Sequence, residues 1–155
     1  MTPTEIVERV MALGHERLEE SLELMHPDAE WIVDSDRPPL RGHDEIAAFV
    51  AEELSRLGPE VPEVLPTSMT QHGDVVLVYG QLKIPHAGVR RFVEMQQVAW
   101  VYEIAGDRIA KVTMYSSWDQ ARDAAGIAPG TPPTRRFRNW QLAIGLGRRP
   151  AAGLT

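Results

Sequence analysis

The chain has 155 residues and a mass of 17.3 kDa, the size of one domain with room for a short appendage and too small for a two-domain enzyme. At 43% hydrophobic and 25% charged residues, with no cysteine, the composition is globular, and disulfide scaffolds, thiolate metal sites and cysteine nucleophiles are excluded. The net charge of -6 is unevenly spread: residues 1–127 hold all 22 acids against 11 bases, a net of -11, while residues 128–155 hold five arginines and no acid. An acidic body cannot neutralise many phosphates, so no nucleic-acid partner is expected. The N-terminus carries acids and no apolar block, and no run of about 18 apolar residues occurs. No membrane association is expected, and the protein is read as cytoplasmic.

In chain order, Ile6, Val7, Val10 and Leu13, then Leu18, Leu22 and Met25, recur at the three-to-four spacing of amphipathic helices. Gly14 separates two helices, and Thr4 is the predicted N-cap of the first, without a complete capping box. Pro27 disfavours helix at His26. Ala29–Val33 then reads as a short strand, and a Pro38-Pro39 loop follows. Residues 43–57 form the clearest helix: Ile46, Phe49, Val50, Leu54 and Leu57 make its stripe, Asp44 and Glu45 stand at its positive end, and Gly58-Pro59 stops it. Pro59, Pro62 and Pro66 block regular helix and predict an extended lead into a strand near Thr67–Gln71.

Three strands are predicted next, Asp74–Ile84, Arg91–Ile104 and Arg108–Trp118, separated by Pro85-His86-Ala87-Gly88 and Ala105-Gly106-Asp107, which makes an antiparallel meander. In the middle strand Phe92, Val98, Trp100 and Tyr102 share one face, and Val93, Met95, Ala99 and Val101 the other. One layer of helices covers only one such face. The other must meet a second subunit, the tail or a continuation of the chain, and a homodimer through this outer face is the expectation. A helix over Asp119–Ala125, closed by Gly126, ends the body. From Ala128 onward, Phe137, Trp140 and Ile144 allow one short docking helix, with a partly disordered terminus as the alternative.

This order of elements resembles the cystatin-like α+β cone shared by nuclear transport factor 2, ketosteroid isomerases, limonene-epoxide hydrolase and the SnoaL-like polyketide cyclases. The strings LELMHPDAEW (22–31), LRGHDEIAAFVAEEL (40–54) and AWVYEIAGDRIAKVTMYSSWDQARDAAGI (99–127) look like the SnoaL-like family. The resemblance spans residues 4–127, so the expected division is a SnoaL-like domain over 1–127 and a basic extension over 128–155. It implies N-terminal helices packed on a curved antiparallel sheet around an apolar pocket. The implied lining is Trp31, Val33, Phe49, Val98, Trp100, Met114, Ser116 and Trp118, a set suited to a flat hydrophobic ligand.

The fold hosts many chemistries, so the reaction depends on which polar residues this chain places in it. The proton-shuttling carboxylate of the isomerases aligns with Val33 and their second acid falls near Val98, so both polar partners are missing. The acid–arginine–acid set of the epoxide hydrolases falls on Leu82, Ile84 and Met114. A cyclase asks only for one acid/base and a pocket that folds the substrate. The candidates are Glu94, Asp34 and His43. Glu94 shares a strand face with Gln96, Val98 and Trp100, so Glu94 and Gln96 would form the polar end of a cavity on that face; otherwise Glu94 is an edge carboxylate paired with Arg90 or Arg91. Asp34 serves if the strand bulges by one residue, and is otherwise an exposed loop carboxylate. His43 stands at the start of the third helix, either beside an anion or facing solvent. Tyr79, Tyr102 and Tyr115 can each donate to a carbonyl or merely pack. Arg41 is expected in a structural ion pair, and Asp119 as a cap or first-turn residue of the last helix.

The five histidines lack metal-binding spacing, so no metal and no cofactor are expected. The Gly145-Leu146-Gly147 run has no preceding strand to make it a dinucleotide site. Two readings stay open. One is a cofactor-free acid/base enzyme (cyclase, isomerase, dehydratase or hydrolase type) acting on an apolar cyclic or polyketide-like molecule. The other is a non-catalytic protein of the same fold that binds a small hydrophobic ligand or serves as a partner subunit.

Overall fold

The computed structural model describes residues 1–58, 61–85 and 93–137. Helix α1 (Pro3–Leu13), a single tight turn at His15–Arg17 and helix α2 (Leu18–Glu23) lead into strand β1 (Met25–Ile32). A two-residue strand β2 (Leu40–Arg41) precedes helix α3 (Gly42–Leu57). Strands β3 (Glu63–His72), β4 (Val75–Pro85), β5 (Val93–Ala105) and β6 (Arg108–Tyr115) follow, then helix α4 (Trp118–Ala125) and strand β7 (Arg135–Arg136). The sheet order is β2-β1-β6-β5-β4-β3-β7. β1 and β6 pair in parallel, and the other neighbours are antiparallel. Register shifts fall between Met25 and Glu30, Pro66 and Ser68, and Glu103 and Ile104. Such bulges add twist and bend a sheet.

The expected α+β architecture and meander are present, with local differences that have physical causes. The first helix is capped two residues earlier than expected. Thr2, not Thr4, accepts from the Glu5 N–H, and the Glu5 carboxylate accepts from the Thr2 N–H, which completes the capping box with Pro3 in the first turn. Thr4 instead turns inward and donates to Gln71 Oε1 at 2.7 Å. β1 begins at Met25 rather than Ala29, because its interrupted pairing with β6 tolerates Pro27. β3 begins at Glu63, and Pro66 is accommodated next to the register shift.

Alternation along β4 and β5 separates two cores. On one face Val76, Val78, Val98, Trp100 and Tyr102 pack with Met69, Ile109 and Val112 beneath Ile6 and Val7 of α1. On the other, Leu77, Ala99 and Val101 meet Ala121, Ala125 and Ile127. The outer face is thus covered at its centre by the continuation of the chain through α4, and the small alanines let that helix approach closely. A third cluster joins Leu22 of α2, Ala29 of β1 and Ile46 of α3.

Gly42 explains the turn between β2 and α3. Its φ of 81° is a left-handed conformation, and a Cβ there would meet the Pro27 carbonyl at 3.2 Å. Arg41 beside it makes the expected ion pair, with Glu30 at 2.8 Å. Ser117 caps α4, and Asp119 sits in its first turn, paired with Arg122 at 3.1 Å.

Residues 135–136 add a strand to the edge of β3. The Phe137 N–H donates to the Thr67 carbonyl at 3.0 Å, the Phe137 ring packs against the α1-side core, and Arg135 pairs with Glu8 at 2.7 Å. The start of the basic extension therefore docks as a strand. The turn residues His86, Ala87 and Gly88, the residues Arg90, Arg91 and Phe92, and Trp140, Ile144 and Gly145-Leu146-Gly147 lie outside the described residues.

Candidate functional site

A cavity of about 420 Å³ lies between the helices and the α1-facing side of the sheet. Its roof comes from Val10, Met11 and Leu13 of α1, Leu18 and Ser21 of α2, and Ile46 and Val50 of α3. Its wall comes from Ala29 and Trp31 of β1, Val64 of β3, Trp100 and Tyr102 of β5, and Val112 of β6. Sequence positions the roof simply: Gly14, at φ 60°, ends α1 and lets the chain double back into α2. The lining is predominantly apolar. Its ionisable members are His15, Glu16, Glu30, Glu63 and Tyr102, of which His15 and Glu16 are exposed.

Trp31 and Trp100 lie on the same side of the sheet and both line the cavity. Val98 belongs to the buried core one register step from Trp100, and Met114 packs against that core; neither is in the cavity lining. Val33 and Phe49 line a separate hollow beside the Pro38-Pro39 loop. There Phe49 and Trp31 meet in a T-shaped contact, with ring centroids 5.8 Å apart, and the Arg37 guanidinium lies 5.1 Å over the Phe49 ring. Ser116 is exposed. Trp118 lies on the outer face, stacked on Tyr79, where its indole N–H is shared between the carbonyls of Gly80 at 3.1 Å and Val98 at 3.0 Å.

The three acid/base candidates are not brought together, and none is in the cavity lining. Glu94 accepts from the Gln96 amide at 2.7 Å, with Gln96 exposed. Asp34 is exposed and accepts from the Asp36 N–H at 2.8 Å, a turn arrangement typical of loop aspartates. His43 is half-buried, and its Nε2 lies 3.2 Å from the Met25 carbonyl; a carbonyl only accepts, so Nε2 carries the proton.

The cavity residue that sequence reasoning left undecided is Tyr102. It is 7% exposed, and burial pushes its phenol pKa up, keeping it protonated and a hydrogen-bond donor. The signal that could have found it is its shared face with Trp100. The roof residues gave no separate signal, because the spacing that fills a core is also the spacing that lines a cavity. Among the described residues, no three His, Asp or Glu side chains form a group able to hold a metal ion, and no helix is long and apolar enough to cross a membrane.

The model of the SnoaL-like domain matches residues 7–112, more than half of the chain. The chain belongs to the SnoaL-like family. No curated protein matches this SnoaL-like chain. Among solved structures it is similar to TerC co-crystallised with polyporic acid, at 19% identity and a TM-score of 0.64, covering 80% of this chain and 98% of that one. It is also similar to a protein with a ketosteroid isomerase-like fold from Catenulispora acidiphila DSM 44928 in complex with trimethylamine (19% identity, TM-score 0.58, covering 85% of this chain and 100% of that one). A cystatin-fold protein from Novosphingobium aromaticivorans DSM is similar again (19% identity, TM-score 0.58, covering 74% and 98%). At such identities the likeness establishes the cystatin-like cone and leaves the chemistry to the site.

Proposed function

We propose that this SnoaL-like protein binds an apolar cyclic or polyketide-like small molecule in the cavity beneath its helices. The observation that carries the reading is the placement of Trp31 and Trp100 on one side of the bent sheet, both facing a space of about 420 Å³, within the usual volume range of small-molecule sites. Two indoles supply flat, wide contact area at little conformational cost. The co-crystallisation of the similar TerC with polyporic acid supports the ligand class. Acid/base turnover of the bound molecule is the second reading, favoured by His15, Glu16 and Glu63 in the cavity lining. For that reading these three are stronger candidates than Glu94, Asp34 or His43, since a proton acceptor must reach the substrate.

The test is a tryptophan-fluorescence screen of hydrophobic ketones, lactones and epoxides, followed by turnover assays on the compounds that bind. Micromolar binding that weakens at least tenfold in Trp100→Ala, with the fold retained by circular dichroism, is expected. A panel without a single binder would refute the reading. Turnover that survives Glu16→Gln and Glu63→Gln but falls in Glu94→Gln would return the acid/base role to Glu94. A homodimer through the outer face belongs to the same proposal: Met95 on that face is 46% exposed, and light scattering on eluting protein should give twice the mass of one chain.

A further inference from the structure

Tyr102 lies on the cavity side of β5, opposite Val76 of β4 and Val112 of β6. These apolar neighbours offer its hydroxyl no partner, and the hydroxyl makes no hydrogen bond among the described residues. The sealed, unpartnered side-chain atoms are Trp31 Nε1 and Arg122 Nε, and Tyr102 Oη is not one of them. Tyr102 itself lines the cavity and keeps 7% of its surface. The other polar groups of the lining are less suited to meet a ligand. Trp31 Nε1 has no accessible surface, and Ser21 Oγ already donates to the Gly14 carbonyl at 3.2 Å. His15 and Glu16 are at exposed positions.

A buried hydroxyl without a partner is unfavourable in the empty protein, and that loss is recovered when a ligand supplies the missing oxygen. We infer that the Tyr102 hydroxyl sets the ligand class: a ring system whose carbonyl or ether oxygen accepts a hydrogen bond from Tyr102 Oη. This inference rests on the cavity being the ligand site. Burial holds the phenol in its protonated, donating form.

The test compares 1-tetralone with tetralin, the same fused rings with and without one carbonyl, by equilibrium dialysis against the full chain and its Tyr102→Phe variant. The expected result is that the ketone loses about tenfold in affinity in the variant while the hydrocarbon is unchanged, so the ratio of the two falls about tenfold, the size of one hydrogen bond. Phenylalanine fits wherever tyrosine does, and removing an unpartnered hydroxyl leaves the empty variant at least as stable as the native protein. A purely packing role would move both ligands together. As a second readout on unaltered protein, the carbonyl stretch of bound 1-tetralone should fall below its position in hexane. An unchanged affinity ratio, or an unshifted carbonyl band, overturns the inference while leaving the cavity a ligand site. Failure of both compounds to bind the native chain overturns the ligand site and this inference with it.

Discussion

Gly80 sits in the middle of β4, where a β-branched residue would ordinarily be favoured. Its φ is not positive, so its backbone does not require glycine, and on conformational grounds alone Gly80→Ala would stabilise by about 0.4–1 kcal/mol. Its surroundings reverse that sign. A Cβ built there lies 3.1 Å from Trp100 Cζ3, 3.0 Å from the Leu65 carbonyl oxygen and 3.3 Å from Pro66 Cα, against ordinary carbon contacts of about 3.5–4.0 Å. The indole can yield, because the cavity of about 420 Å³ lies beside it. The Leu65 carbonyl is backbone in a paired strand and yields only if β3 moves. Overpacking of this kind costs roughly 1–3 kcal/mol, so a net loss of about 2 kcal/mol is expected in urea unfolding. In a Trp100→Phe background the smaller ring removes one of the three contacts, and a double-mutant cycle should return a coupling of about 1 kcal/mol. Gly80→Ala that leaves stability unchanged or raised, or a cycle additive within about 0.3 kcal/mol, would refute the account in which Gly80 is the seat of the Trp100 ring.

Trp118→Phe keeps the stack on Tyr79 but loses the N–H shared between the Gly80 and Val98 carbonyls. A loss of about 1 kcal/mol in urea unfolding is expected, with ligand binding unaffected because the ring is on the outer face; an unchanged stability would show that strand pairing alone satisfies both oxygens. Alkaline stability tests the burial of Tyr102. Its folded pKa is held above the ordinary value of about 10 by burial, so the folded state keeps a proton that the unfolded chain releases. The stability this contributes is complete below about pH 10 and is lost as pH rises beyond it. Urea midpoints measured from pH 9 to 12 should therefore fall less steeply in Tyr102→Phe than in the native protein. The remaining slope belongs partly to Tyr79 and Tyr115, which burial also shifts upward; an identical slope in the variant would contradict the burial of Tyr102.

The fold was legible where a pattern has a single structural meaning. Alternation in Val98, Ala99, Trp100, Val101 and Tyr102 placed apolar groups on both faces of β5, and both faces are covered, by α1 on one side and α4 on the other. Gly14, Gly58 and Gly126 each mark a helix end. The site was legible in part, and for a physical reason. A strand face predicts which side chains share a direction, and so Trp100 was placed in the wall, while Tyr102 on the same face was left between donor and packing residue. It does not say where along that face packed core gives way to open space, and so Val98 and Met114 were counted with Trp100. Trp118 was misleading because the strand ends at Tyr115, and the helix that follows carries the indole to the opposite face. The edge strand at Arg135–Arg136 left no apolar pattern to read, since its pairing with Ser68 and Met69 is made by backbone groups.

The cavity survives beside a packed core because its two sides are held separately. α1 is fixed to the sheet through Ile6 and Val7, whereas α2 and α3 are fixed to β1 through Leu22, Ala29 and Ile46. Trp31 and Met25 touch both groups, so they bridge the gap between the two clusters. Each cluster is close-packed on its own account, and neither can collapse into the gap without giving up buried contacts. Lining residues outside both clusters, such as Glu16, Val50 and Glu63, can be substituted to change what enters and what happens to it while both clusters stay intact. On this physical ground the cone is readable from periodicity in this chain, and its chemistry is readable only from the few polar atoms that face the space.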